Sequence, residues 1–188
     1  MHEQNLRKKK AQQEQNRYAV LQRNTEEHQA GGLERLLEFN NKLEIRRPIA
    51  EVFQFLSNFE NMSKWNYFVV NVKKISDGPV GINTAFNQKR KTDSQEYRII
   101  EYEPNKRVAI EIQPPSAKLT MRFTLQPSHD DNGTVVVDEW KFDTGIPALF
   151  ARIRVNNVKA AVAENLQKLK ELLETGKTIL QDGRAERV

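Results

Sequence analysis

Enzymatic chemistry needs groups that trade protons, hold metals or attack carbon, and this 188-residue chain arrays few of them usefully. Cysteine is absent, which excludes disulfides, thiolate metal sites and sulfur nucleophiles. The three histidines are His2, His28 and His129, the last beside Asp130 and Asp131. None stands at ligand spacing with another, so they read as exposed titrating side chains, with no metal site and no Ser-His-Asp relay. Gly78 and Gly81 flank Pro79 in a turn and open no helix, so there is no phosphate-cradling loop and no cofactor is expected.

What remains for acid or base work is a handful of polar residues on otherwise apolar strand faces, where desolvation could tune them. If Trp140 and Phe142 point inward, alternation puts Asp138 on the same face. An inward carboxylate is costly unless paired. The cost favours an Asp138 that sits near its strand's end in water, or that pairs with an Arg or Lys of a neighbouring strand. Asn41 shares the inward face of its strand, and Gln88 and Arg90 share the face of Phe86. Tyr67, Tyr97 and Tyr102 read as aromatics with their tips at a rim. Against these stands a fuller apolar set. Phe39, Leu43, Trp65, Phe86, Ile110, Met121, Phe123, Trp140, Phe150 and Ile153, with Arg90 and Asp138, form the candidate ligand-binding wall, of which a large share will be plain core. No catalytic residue is assigned.

The elements that must position this wall can be read from periodicity. Phe39 to Ile45 alternates as a half-buried strand. Pro48 then opens a short amphipathic helix carrying Ile49, Val52, Phe53 and Leu56, and a second short helix runs from Asn58 to about Trp65. Six further strands follow, at 68–75, 84–91, 96–102, 108–112, 119–125 and 134–142, the last behind an Asp131-Asn132-Gly133 hairpin turn. Pro147 opens a helix uninterrupted until Gly176, roughly 43 Å long at about 1.5 Å per residue. Its stripe is Leu149, Ile153, Val162, Leu166, Leu169 and Leu173, broken around Arg154 to Asn157. The Leu-rich second half reads as core packing, the first half as more mixed. The order implies an α+β fold: a seven-stranded curved antiparallel sheet wrapped around a long C-terminal helix. The two short helices after the first strand close one end, leaving an apolar pocket between sheet and helix.

Composition locates this domain. Of the 15 aromatic residues only Tyr18 precedes residue 39 and none follows Phe150. Residues 1–32 are expected to be a polar tail, disordered or loosely helical, 33–176 the folded domain, and 177–188 a C-terminal tail. The net charge of +5 is divided between the N-terminal stretch and the rest, so it describes no single face. Lys8, Lys9 and Lys10 lack interleaved aromatics, which disfavours nucleic acid while leaving transient contact with an anionic membrane open. No apolar run reaches the roughly 20 residues of a spanning helix, and the cytoplasm is the expected location.

Several marks fall in a recognisable order: Pro48 with Val52, Phe53 and Leu56; Trp65 after the second short helix; the turn Asp77-Gly78-Pro79-Val80-Gly81; and Tyr102-Glu103-Pro104-Asn105-Lys106-Arg107. On these the chain resembles the START-like (SRPBCC) superfamily and its polyketide cyclase/dehydrase-like group, over about Leu36 to Thr175. The resemblance implies the helix-grip fold. It departs in one place, where Asn83 stands at a position often occupied by glycine; asparagine also tolerates positive φ. The glycine-rich loop of the plant allergen and hormone-receptor branch is absent. The superfamily's pocket serves cyclases, dehydratases, carriers and sensors, so fold alone does not choose among them. The expected function is binding or carriage of a small hydrophobic ligand (lipid, quinone or polyketide-like). The alternatives are a cyclase/dehydratase using the same cavity, and a protein-interaction module acting through the long helix or basic tail.

Overall fold

The computed structural model describes residues 36–112, 119–129, 132–143 and 148–188, with side chains for all of these except 36, 143 and 148–154. The expectations for residues 1–32, for Asp131, for Pro147 as helix opener, and for the side chains of Leu149, Phe150 and Ile153 lie outside the described residues.

Strand β1 (Leu36–Ile45) leads into helix α1 (Ile49–Ser57) and a 3-10 helix (Phe59–Lys64). Six strands follow: β2 (Val69–Lys74), β3 (Ala85–Arg90), β4 (Ser94–Glu103), β5 (Arg107–Ile112), β6 (Leu119–Pro127) and β7 (Thr134–Asp143). Helix α2 (Ala148–Thr175) comes next. The seven strands form one antiparallel sheet in the order β1-β7-β6-β5-β4-β3-β2. Because β1 and β2 occupy opposite edges, α1 and the 3-10 helix must carry the chain from one edge to the other. Register irregularities interrupt β2–β3 at Val69/Asn71 and β4–β5 at Ile99/Glu101; such bulges add local twist and bend to a sheet.

The core lies between the inner sheet face and the helices. Val52, Phe53 and Leu56 bury the face of α1 that periodicity assigns to it. Phe59 of the 3-10 helix meets Phe86 and Tyr97 edge-on at 5.6 Å each. On α2 the buried stripe is Val162, Leu166, Leu169 and Leu172, with Leu173 only partly covered. Leu173, expected as the last stripe residue, packs against the core at its margin, and Leu172 beside it is the fully buried one. The outer face carries an ion-paired ladder in which Arg122 binds Glu101 and lies 3.9 Å from Glu139.

Two turns show the backbone demand behind their residues. Asn83 adopts φ 67, so asparagine does supply the left-handed conformation expected of it there. Gly176 ends α2 at φ +79 while its N–H donates to Leu172 O at 2.9 Å, a glycine-terminated helix end.

Residues 177–188, expected as a tail, instead continue as a hairpin of β8 (Lys177–Ile179) and β9 (Ala185–Arg187). Thr178 and Leu180 are buried, and Arg184 Nη2 donates to Tyr67 O at 3.1 Å and Val69 O at 3.3 Å. The hairpin thus ties the end of the chain to the edge strand β2. Its strands are too short for alternation to announce them.

Arg47 joins β1 to the far end of α2. Its Nε donates to Leu173 O at 2.7 Å and its Nη2 to Glu174 O at 3.2 Å, placing a cation on the carbonyl end of the helix. We expect Arg47→Met to lower unfolding free energy by about 1.5–3 kcal/mol in urea titration; an unchanged midpoint would show these bonds to be replaceable by water. No helix among the described residues is long and apolar enough to cross a membrane.

Candidate functional site

A cavity of about 290 Å³ lies between the sheet and the middle of α2, near the low end of the roughly 300–1,000 Å³ range of small-molecule sites. The sheet supplies Ile110, Ile112, Met121, Phe123 and Trp140; α2 supplies Val158, Ala161, Val162 and Asn165. Met62 and Trp65 close the end crossed by the short helices, and Tyr67 and Phe68 follow them. The Leu-rich second half of α2 packs Leu166, Leu169 and Leu172 into the core, and the residues that face the cavity run from Val158 to Asn165.

Of the expected wall, Trp65, Arg90, Ile110, Met121, Phe123, Asp138 and Trp140 line the cavity. Phe39, Leu43 and Phe86 do not, and are core side chains. Phe39 stacks on Trp140 at 5.8 Å and on Phe142 at 5.7 Å. Phe86 is enclosed between Phe59 and Tyr97. Each points inward as alternation requires, but that fixes only the face, not whether the residue borders the cavity. Tyr97 also departs from expectation: its hydroxyl is not at a rim but buried without a partner among the described residues, and burial raises its pKa above the ordinary tyrosine range.

Asp138 is the main correction. It is 1% exposed, mid-strand, in a strand held between β1 and β6. Its cross-strand neighbours are Asn41 and Phe123, so neither adjoining strand sets a basic partner directly opposite it. Val136 and Trp140 fix the inward phase of β7, and a shift of one residue would expel both. Trp140 Nε1 donates to Asp138 Oδ2 at 2.7 Å, while Oδ1 has no partner among the described residues. Burial raises its pKa from 3.8 to about 7, the Trp140 hydrogen bond opposes this, and the charge of Glu139 adds to it. A carboxyl so placed can give or take a proton near neutral pH.

The other polar groups are mostly paired. Gln95 Nε2 donates to Gln88 Oε1 at 2.5 Å, and Gln88 Nε2 to Met62 Sδ at 3.0 Å. Asn165 Oδ1 accepts from Gln181 Nε2 at 3.3 Å. Arg90 holds Asp93 through two contacts of 2.6 Å, and like the 40%-exposed Phe68 it marks where the cavity approaches solvent. His129 is exposed in the turn after β6.

Sequence reasoning left Val158, Ala161, Asn165 and Phe142 out of the wall. Asn165 had a visible signal: it sits at helical spacing within the Val162, Leu166, Leu169 stripe, where a polar side chain needs a reason. Ala161 had none, since a small residue on a helix is unremarked until a void appears beside it. A second depression of about 780 Å³, between α1 and the end of α2, is lined by exposed Glu51, Gln54, Asn58 and Glu60 and reads as solvated surface.

A family model described as polyketide cyclase / dehydrase and lipid transport matches residues 37–174. No curated protein matches the sequence. Among solved structures, the di-domain ARO/CYC StfQ from the steffimycin biosynthetic pathway is similar at TM-score 0.63 and 14% identity, over 77% of this chain and 53% of that one. A Deinococcus radiodurans protein is similar at TM-score 0.56 and 14% identity, covering 74% of this chain and 99% of its own. One from Nitrosospira multiformis reaches TM-score 0.57 at 16% identity, over 74% and 97%. At these identities the likeness is one of fold.

Proposed function

Because the chain belongs to the polyketide cyclase / dehydrase and lipid transport family, we propose that it binds or carries a small hydrophobic ligand in the cavity between the sheet and α2. The observation that carries this reading is the wall itself: aromatic and aliphatic side chains from four strands, the 3-10 helix and α2 surround a space that core packing leaves open. Well-packed interiors leave few voids larger than a water molecule. In this reading Trp65, Ile110, Met121, Phe123 and Trp140 contact the ligand's apolar body, with Arg90 toward solvent and Asp138 at the inner wall.

The chain has only two tryptophans, and both line the cavity, so intrinsic emission reports on the site. Titration with N-phenylnaphthylamine should quench that emission saturably, at one probe per chain. Non-saturable partitioning, or no quenching, would count against the cavity as a binding site.

A second reading, a cyclase/dehydratase acting on a ligand folded in the same space, is favoured by one observation. Asp138 is a buried carboxyl with its pKa at about 7, able to serve as acid and then base. This reading requires turnover. A native cavity ligand recovered chemically unchanged after incubation with the protein at neutral pH would argue for carriage alone.

A further inference from the structure

Asp138 is not accounted for by an apolar cavity. A leucine or methionine would fill its place without the desolvation cost of a carboxyl. One oxygen is matched and the other is not: Oδ2 accepts from Trp140 Nε1, and Oδ1 is buried without a partner among the described residues. Among the described residues the elements around it offer no compensating cation. Across β1 stands Asn41, whose Nδ2 is also buried and unpartnered among the described residues; across β6 stands Phe123. Asn165 is the polar residue that α2 contributes to the wall, and Arg90, the cation on that wall among the described residues, is committed to Asp93. The charge that does act on Asp138 is Glu139, and it favours the neutral acid.

A neutral carboxyl here has a determined polarity. Oδ2 already receives the indole N–H, so the proton resides on Oδ1, the oxygen that lacks a partner. The result is an O–H donor at the wall of a largely apolar space, and a buried donor without an acceptor is costly. We infer that the ligand carries a carbonyl oxygen, as a ketone, ester or quinone, which accepts a hydrogen bond from the neutral carboxyl of Asp138. The inference rests on the ligand-binding reading above and names the polar group that the ligand must present.

The test uses two probes of nearly equal shape, acetylnaphthalene and isopropylnaphthalene substituted at the same ring carbon, titrated into the full chain by tryptophan quenching. At about pH 5 the ketone should bind roughly tenfold tighter than the hydrocarbon, the worth of one buried hydrogen bond. At about pH 9, where the acid is ionised, that advantage should vanish. Asp138→Asn should keep the preference at both pH values, since its amide can accept from Trp140 and still donate to the ligand. Asp138→Leu should lose it at both. Equal binding of the two probes at acid pH would overturn the inference and leave the cavity reading standing. So would naphthylmethylamine binding more tightly than the ketone, and increasingly so as pH rises, because that requires the carboxylate. If no probe binds at either pH, the cavity reading fails and the inference with it.

Discussion

Asp138→Asn should make the protein more stable at about pH 8.5 and leave it nearly unchanged at about pH 4. The wild-type carboxyl rises from 3.8 to about 7 on folding, chiefly through burial. Between those values the folded protein holds a proton that the unfolded chain has released, so stability falls as pH rises through this window and stays low above it. At about 1.4 kcal/mol per pH unit, the loss above neutrality is on the order of 4 kcal/mol. Asparagine preserves the shape and the acceptor for Trp140 Nε1 while removing the charge. Carboxylates held low by cations tilt the whole-protein profile the other way in acid. Asp182, for instance, is held at about 2 mainly by its hydrogen bond from Lys91. The quantity to compare is therefore the difference between the two proteins by urea denaturation at each pH. An equal difference at both pH values would mean that the side chain's burial is not what shifts its proton.

Ala161→Trp should abolish ligand binding without unfolding the domain. Ala161 lines the cavity from α2 and is partly exposed rather than locked in the core. An indole at that position occupies the space instead of displacing core side chains. We expect N-phenylnaphthylamine affinity to fall on the order of a hundredfold or more, which is about 2.8 kcal/mol or above. The urea midpoint should move only by the roughly 1–3 kcal/mol that overpacking costs. Affinity that survives the substitution would place the probe elsewhere, with the exposed Phe68 and Val70 as the first surface to examine.

The legible parts of this fold were those written in repeated spacing. All seven strands of the sheet and the long helix follow from alternation, helical stripes and turn residues, and Asn83 shows that a turn's φ requirement could be anticipated from a single side chain. What spacing cannot convey is depth along an element. Phe86 and Phe123 both face inward, yet one is sealed between Phe59 and Tyr97 and the other lines the cavity. Asp138 shows the opposite failure. Its inward phase was legible, but the expectation that a carboxyl avoids such a place rested on average cost, and this site departs from the average. The C-terminal hairpin was invisible because three-residue strands carry no period; Leu180 and Arg184 became informative only once β2 was in place to receive them.

The claim at the centre of this account is that the space between sheet and α2 is occupied in use by a small apolar molecule. Its most direct test is native mass spectrometry of the full chain purified from its own host, compared with the same sample after denaturation. The account predicts a discrete small-molecule mass that accompanies the folded protein and is released on unfolding. The bare chain mass alone, under conditions gentle enough to keep the protein folded, would contradict it.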